Sequence, residues 1–181
     1  MAITLVTAVG SASANSYATL AEAIVVAGEV FPKPDAWLAS GNDDKGRAML
    51  QACRDLDQER FPGDRADTTQ ALAWPRAGVR KLGGTGWTYG LPAYATMYLP
   101  TEIPALILRA QILRAIQLVE QAANGGPDDL AGVAAFGLGG EVSMTLDTAV
   151  TAQTERDRYF ATVIRPLLGH LVYTPQLRMV R

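Results

Sequence analysis

A single histidine, His170, and a single cysteine, Cys53, leave this 181-residue chain little from which to build nucleophilic or metal-assisted chemistry. No Cys/His set stands at metal-ligand spacing, and no G-x-S-x-G nucleophile turn occurs. A serine–histidine pair would have to recruit His170 from near the chain end. Cys53 falls on the apolar stripe of a helix, where a small core residue belongs rather than a reactive thiol. Asp43-Asp44 and Asp128-Asp129 fit a helix start and a turn, where acids meet the helix dipole or turn geometry. The expectation is a protein without catalytic residues, metal or cofactor.

Phosphate recognition is the other chemistry the residues offer. Gly83-Gly84-Thr85-Gly86 looks like a phosphate loop but lacks the lysine and hydroxyl residue of a P-loop, and no helical pattern follows. Arg76, Arg80 and Lys81 lie between Trp74 and the aromatics Trp87 and Tyr89, a basic–aromatic mixture of the kind that stacks single-stranded bases. They are the candidate nucleic-acid contacts. Sixteen basic against eighteen acidic residues give a formal net charge of −2, and the isoelectric point is about 5.4. A phosphate-gripping protein ordinarily carries a basic excess. A loop packing its aromatics on its own domain or on a neighbour is the favoured reading.

The elements that must carry these residues read as mainly helical. The fold class expected is a small helical bundle with a β-hairpin, a long loop and extended arms at both ends, in one domain spanning 1–181. Residues 1–14 form the N-terminal arm. Ile3, Leu5 and Ala8-Val9 roughly alternate with threonines, as in a strand, and no Lys or Arg precedes them as a signal peptide requires. Thr19-Leu20-Ala21-Glu22 is a capping box opening a first helix that stops near Gly28, with Leu20, Ile24 and Ala27 on its apolar stripe. A short turn at Asp35–Leu38 follows. A second long helix runs from about Asn42 to Arg60, with Met49, Ala52, Cys53 and Leu56 inward and Arg47, Gln51, Arg54, Asp55 and Gln58 outward. Phe61 to Gly90 holds no helical period and reads as a long loop.

A third helix, from a cap at Thr101 to about Ala123, is apolar nearly all round. Ala105, Leu108, Ile112, Ala115, Ile116 and Val119 form one stripe; Ile103, Leu106, Ala110 and Leu113 form another. In a chain this small the second stripe, with Trp87 and Tyr89, is expected to meet a neighbouring subunit, and Arg114, Gln117, Glu120 and Gln121 to mark the exposed end. Val133–Leu138 and Glu141–Leu146, joined by Gly139-Gly140, predict a hairpin. A last helix is expected over Ala152–Leu168, kinked at Pro166. Residues 169–181 then form an extended docking tail. No run of eighteen apolar residues occurs, so no membrane-spanning helix is expected.

Several of these landmarks together are similar to a known family: Asn15-Ser16-Tyr17-Ala18-Thr19-Leu20-Ala21-Glu22-Ala23, Trp37, Ala52-Cys53-Arg54-Asp55-Leu56-Asp57, Gln70-Ala71-Leu72-Ala73-Trp74-Pro75-Arg76-Ala77-Gly78-Val79, and Ile103-Pro104. The chain resembles the small head–tail connector proteins of tailed bacteriophages, the adaptor or head-completion proteins. Some members are labelled as primosomal-type single-stranded-DNA-binding proteins. The match covers residues 13 to 123, with a looser likeness beyond. It implies a structural virion protein at the head–tail interface, assembled in the host cytoplasm. Such a protein forms a homo-oligomeric ring, typically a dodecamer, under the portal protein. The ring extends the channel for genomic double-stranded DNA and carries the next connector (stopper) or a tail terminator. Portal docking by the C-terminal segment would fall to Tyr173, Pro175, Leu177, Met179, Val180 and Arg181. The stretch from Gly83 to Leu99 is longer and richer in aromatics than the common pattern. The alternative function is single-stranded nucleic-acid binding.

Overall fold

The capping box does what its residues dictate. In the computed structural model, which describes residues 3–81, 97–123, 133–135, 145–146 and 160–171, Thr19 Oγ1 accepts from the Glu22 amide and the Glu22 carboxylate accepts from the Thr19 amide at 2.7 Å. Two orphan N–H groups are thereby satisfied and helix α1 (Leu20–Glu29) begins. Its inward residues are Ala23 and Ala27, while Ile24 and Val25 face solvent. The expected stripe is thus rotated, because the small alanines let α1 approach its neighbours closely. Helix α2 (Asp35–Ala39) is one short turn whose last carbonyls are held by Lys45, the ammonium donating to Ser40 O at 2.9 Å.

Helix α3 (Asn42–Asp57) buries the stripe Met49, Ala52, Cys53 and Leu56 as its periodicity predicts. Asp55, expected on the wet side, is instead buried. Helix α4 (Ala105–Ala123) starts after a turn through Thr101–Pro104 rather than at Thr101. At 1.5 Å per residue it is about 28 Å long, and α1, α2, α3 and the C-terminal helix all pack on it. Its all-round apolar character therefore has an intrachain cause: α4 is the axis of the bundle.

Two core clusters flank that axis. One gathers Leu56, Phe61, Trp74, Ile107, Ile164 and Leu168. The other gathers Trp37, Met49, Ala52, Ile112, Ala115 and Ile116. Leu108 packs against both. Tryptophans and leucines buried this deeply contribute roughly 1.5–3 kcal/mol each to stability, before conformational entropy is set against them.

The N-terminal segment is not a ladder strand but an extended stretch folded back on itself. Val6 N donates to Asn15 Oδ1 at 2.7 Å, and the Asn15 and Ser16 amides donate to Val6 O. The loop after α3 carries a two-residue antiparallel ladder, β1 (Asp64–Arg65) with β2 (Arg76–Ala77), pairing Asp64 with Ala77 and Arg65 with Arg76. Gly63, at φ +72°, must be glycine here, since a Cβ would lie 2.2 Å from the Ala77 carbonyl oxygen.

Strands β3 (Val133–Ala135) and β4 (Thr145–Leu146) form the hairpin, antiparallel, with Val133 opposite Leu146 and a bulge before Ala135. That first pairing is the register a two-residue turn at 139–140 requires; the turn itself lies outside the described residues. The chain then enters a π-helical turn, Phe160–Ile164, and the short helix α5 (Arg165–Leu168), with Pro166 in its first turn. The proline has no N–H for the ladder, and the wider turn sits directly before it. The part of the expected helix before Phe160 lies outside the described residues. Leu171 is buried in the first core cluster, so residues 169–171 are not part of the extended tail expected there; residues 172–181 lie outside the described residues.

The α3–α4 seam also buries a charge pair. Arg114 Nε donates to Asp55 Oδ2 at 2.8 Å, with the side chains 4% and 2% exposed. Arg114 was expected at the exposed end of the helix; its i+3 neighbour Gln117 accepts a second guanidinium hydrogen bond. Removing one partner strands the other charge. Arg114→Met is expected to destabilise the protein by about 3–5 kcal/mol in urea unfolding, with much of the loss recovered in Asp55→Leu/Arg114→Met. Equal losses in the single and double variants would mean that Asp55 is satisfied without Arg114, Gln51 Nε2 already donating to its Oδ1 at 2.9 Å.

Candidate interaction surfaces

Parts of two of the stretches that carry the family likeness, Asn15–Ala18 and Ala73–Arg76, meet in the interior. Gln111 of α4 holds the first of them. Its carbonyl accepts from the Tyr17 and Ala18 amides at 2.9 and 3.1 Å, and its amide donates to Ser16 Oγ at 2.8 Å and to Met49 O at 2.9 Å. Tyr17 then points its hydroxyl at Asp57, donating to Oδ1, and accepts from the Trp74 amide at 3.3 Å. Asp57 Oδ2 accepts from the Ala73 amide at 3.3 Å.

This knot is polar yet buried, and its ionisable groups show it. Burial holds the Asp57 carboxyl above its ordinary 3.8, although the Tyr17 hydroxyl, the Ala73 amide and the Arg65 charge pull it back. Burial, and then the Asp57 charge, keep the Tyr17 phenol protonated well above its usual range. The same two causes push the Cys53 thiol up to about 12. A thiol so protonated is a packing element, as its place on the helix stripe predicts.

The basic–aromatic segment is mostly folded inward. Trp74 is buried and meets Phe61 and Tyr98 edge-on, both at 5.9 Å between ring centroids. Arg76 donates to three backbone carbonyls, Pro62 O at 2.8 Å, Ala73 O at 3.2 Å and Gly63 O. These contacts hold it opposite Arg65, where like charges would otherwise repel. Lys81 pairs with Glu102 at 2.9 Å and lies 5.2 Å from the Tyr98 ring centroid. Its hydrogen bond holds the Glu102 carboxyl below the usual range. Arg80 is exposed, bridged to Met97 through the backbone. The structure thus gives Arg76 and Lys81 structural work that neither residue type nor spacing announces. Trp87, Tyr89 and Gly83–Gly86 lie outside the described residues.

The stripe assigned to a neighbouring subunit is largely covered by the chain itself. Ala110 is wholly buried, which corrects its assignment to a subunit interface. Ile103 and Leu106 pack against the first core cluster, and Leu113 is half-buried. Tyr173, Pro175, Leu177, Met179, Val180 and Arg181 lie outside the described residues, as does the side chain of His170. Among the described residues no group of three or more His, Cys, Asp or Glu is placed to hold a metal ion, and no helix is long and apolar enough to cross a membrane.

Apolar surface emerges elsewhere. Phe31 is 97% exposed, Val25 66% and Ile24 47%, on the outer face of α1 and the loop after it. A separate open groove of about 520 Å³ runs between α2, α3 and the end of α4, lined by Ala36, Ala48, Leu118, Val119 and Ala122 together with Asp44, Arg47 and Gln51. Sequence reasoning missed both, since it placed Ile24 on the inner stripe and could not see how α2 lies beside α4.

A family model described as "Putative DnaT-like ssDNA binding protein" matches the chain over residues 1–181. The chain belongs to that family. No curated protein and no solved structure matches it. In this DnaT-like chain the segments Asn15–Ala18 and Ala73–Arg76 are architectural, closing the N-terminal segment and the long loop onto α3 and α4.

The knot makes two measurements decisive. Because Asp57 binds its proton more tightly folded than unfolded, its favourable contribution is complete below about pH 3.8 and is lost as pH rises through the higher folded value. Tyr17→Phe removes a hydrogen bond that favours the carboxylate. The Asp57 carboxyl carbon should therefore titrate at still higher pH by NMR, and the protein should lose about 1–3 kcal/mol. A downward move of that midpoint refutes the assignment. Native Cys53 should resist alkylation at pH 8 and react readily in denaturant.

Proposed function

We propose that this protein is a structural, non-enzymatic component of a tailed-phage virion. It acts as a ring-forming adaptor that binds under the portal, extends the DNA channel and carries the next connector or a tail terminator. One observation carries the choice of a protein-binding role. Arg76 and Lys81, two of the three cations of the basic–aromatic segment, are committed to the chain's own carbonyls and to Glu102, while large apolar side chains stand in water on α1 and its following loop. A surface of that kind gains more from covering apolar area than from gripping phosphates.

The sequence likeness to head–tail connectors supports this reading, and the modest net charge of −2 is compatible with a conduit for DNA. In this assembly the tail beyond Leu171 docks on the portal through Tyr173, Pro175, Leu177, Met179, Val180 and Arg181. In this reading half-exposed Ile103 and Leu106 take part in contacts between copies, as the sequence expects also of Leu113, Trp87 and Tyr89. The family description favours a second reading, binding of single-stranded DNA, with exposed Arg80 as its best-placed described cation.

Deleting residues 173–181 spares buried Leu171 and should leave a folded protein that no longer co-sediments with portal. Retention of portal binding refutes the docking assignment. Titration with labelled single-stranded DNA at 50 and 200 mM salt decides between the readings. The adaptor reading expects weak binding, whereas tight binding that falls about a hundredfold or more over that range would favour the second.

A further inference from the structure

We infer that α2 is a flap on the bundle that opens as one unit, with Glu120 and Lys45 as its two latches. This goes beyond the assembly reading and does not depend on it. A helix of five residues has no stability of its own, and charged side chains of two other helices hold its ends. Pro34, at the N-cap, makes no side-chain hydrogen bond. The Glu120 carboxylate of α4 takes that place, accepting from the Trp37 amide at 2.9 Å. Lys45 of α3 holds the opposite end through Ser40 O, 2.9 Å from its ammonium. A negative group at the start and a positive one at the end both suit the helix dipole.

The anchor between those latches is a single side chain. Trp37 is the one buried residue of α2, seated in the second core cluster, while Asp35, Leu38 and Ala39 are exposed. Its indole N–H is buried without a hydrogen-bond partner, a demand that water meets once the ring swings out. Before the helix, among the described residues, no hydrogen bond holds Phe31, Pro32 or Lys33. After it, Gly41 opens α3 without a side-chain cap. These two stretches are the hinges that absorb the backbone rotation. Helix α1, by contrast, buries two alanines behind a closed capping box. One buried anchor and ends held from outside put α2 at the low end of local stability. Closed, it contributes Ala36 and Ser40 to the lining of the groove beside α3 and α4. Open, it removes that wall and uncovers the second core cluster.

Hydrogen exchange on the full chain at low denaturant reads this opening proton by proton. The Leu38 and Ser40 amides, which donate to Pro34 O and Ala36 O, should share one opening constant with the Trp37 indole N–H. That constant should exceed those of interior α3 and α4 amides and stay flat in urea that raises theirs. Glu120→Ala should increase it about tenfold, the loss of one hydrogen bond to a charged group. The Tyr17 and Ala18 amides, held by Gln111, should not respond. Glu120→Gln keeps an acceptor and should retain most of the protection, and Lys45→Met should loosen α2 from its other end. Different constants for the three α2 protons, or a urea response that follows α3 and α4, overturns the flap. So does a Glu120→Ala effect spread equally over every helix. Unchanged α2 protection in Glu120→Ala or Lys45→Met, or glutamine protecting no better than alanine, overturns the latches.

Discussion

The buried amide of Gln111 sets the position of nearly everything around it. A side-chain amide sealed from water must satisfy its carbonyl and its N–H groups internally, at a cost of about 1–3 kcal/mol for each group left unpaired. Gln111 meets that demand with the Tyr17 and Ala18 amides on one side and with Ser16 Oγ and Met49 O on the other. Residues 16–18, α3 and α4 are therefore locked in a single relative placement. Tyr17 follows from that placement: its hydroxyl reaches Asp57 and the Trp74 amide, and the long loop closes over the first core cluster.

Around this hub the interior is more polar than its composition implies. Asp55 and Arg114 seal the α3–α4 seam, and Lys45 holds the end of α2 while lying 5.9 Å from the Trp37 ring centroid. Such groups add little net stability against an apolar alternative, but each has one geometry in which it is satisfied. Apolar helices could slide past one another; these cannot. The outward cost falls on α1. Its inner face is built from Ala23 and Ala27, so its bulky residues Ile24 and Val25 are left facing out beside Phe31.

Much of the helical architecture was legible because its signals are local. The capping box at Thr19, the stripe from Met49 to Leu56, the antiparallel pairing of the hairpin strands and the turn at Asp35 each depend on a few neighbouring residues. The candidate site was far less legible. Arg76 and Lys81 read as phosphate ligands because residue type says nothing about which carbonyl or carboxylate stands nearby. Ala110, in the second apolar stripe of α4, read as a subunit contact because sequence shows that a face is greasy without showing what covers it. Ala110 is covered by this chain's own core.

By itself the sequence determined that the chain is a mainly helical bundle with a hairpin, since capping, periodicity and turn chemistry act over spans of a few residues. It also marked Asn15–Ala18 and Trp74–Arg76 as special, though not why. Only the tertiary structure decided that these segments close on Gln111 and Asp57, that Asp55 and Arg114 lie inside, and that Phe31 and the α2–α3–α4 groove remain outside. The physical reason is range. A buried hydrogen bond such as Tyr17 N–H to Gln111 joins residues 94 positions apart, and no local pattern encodes a partner that far along the chain.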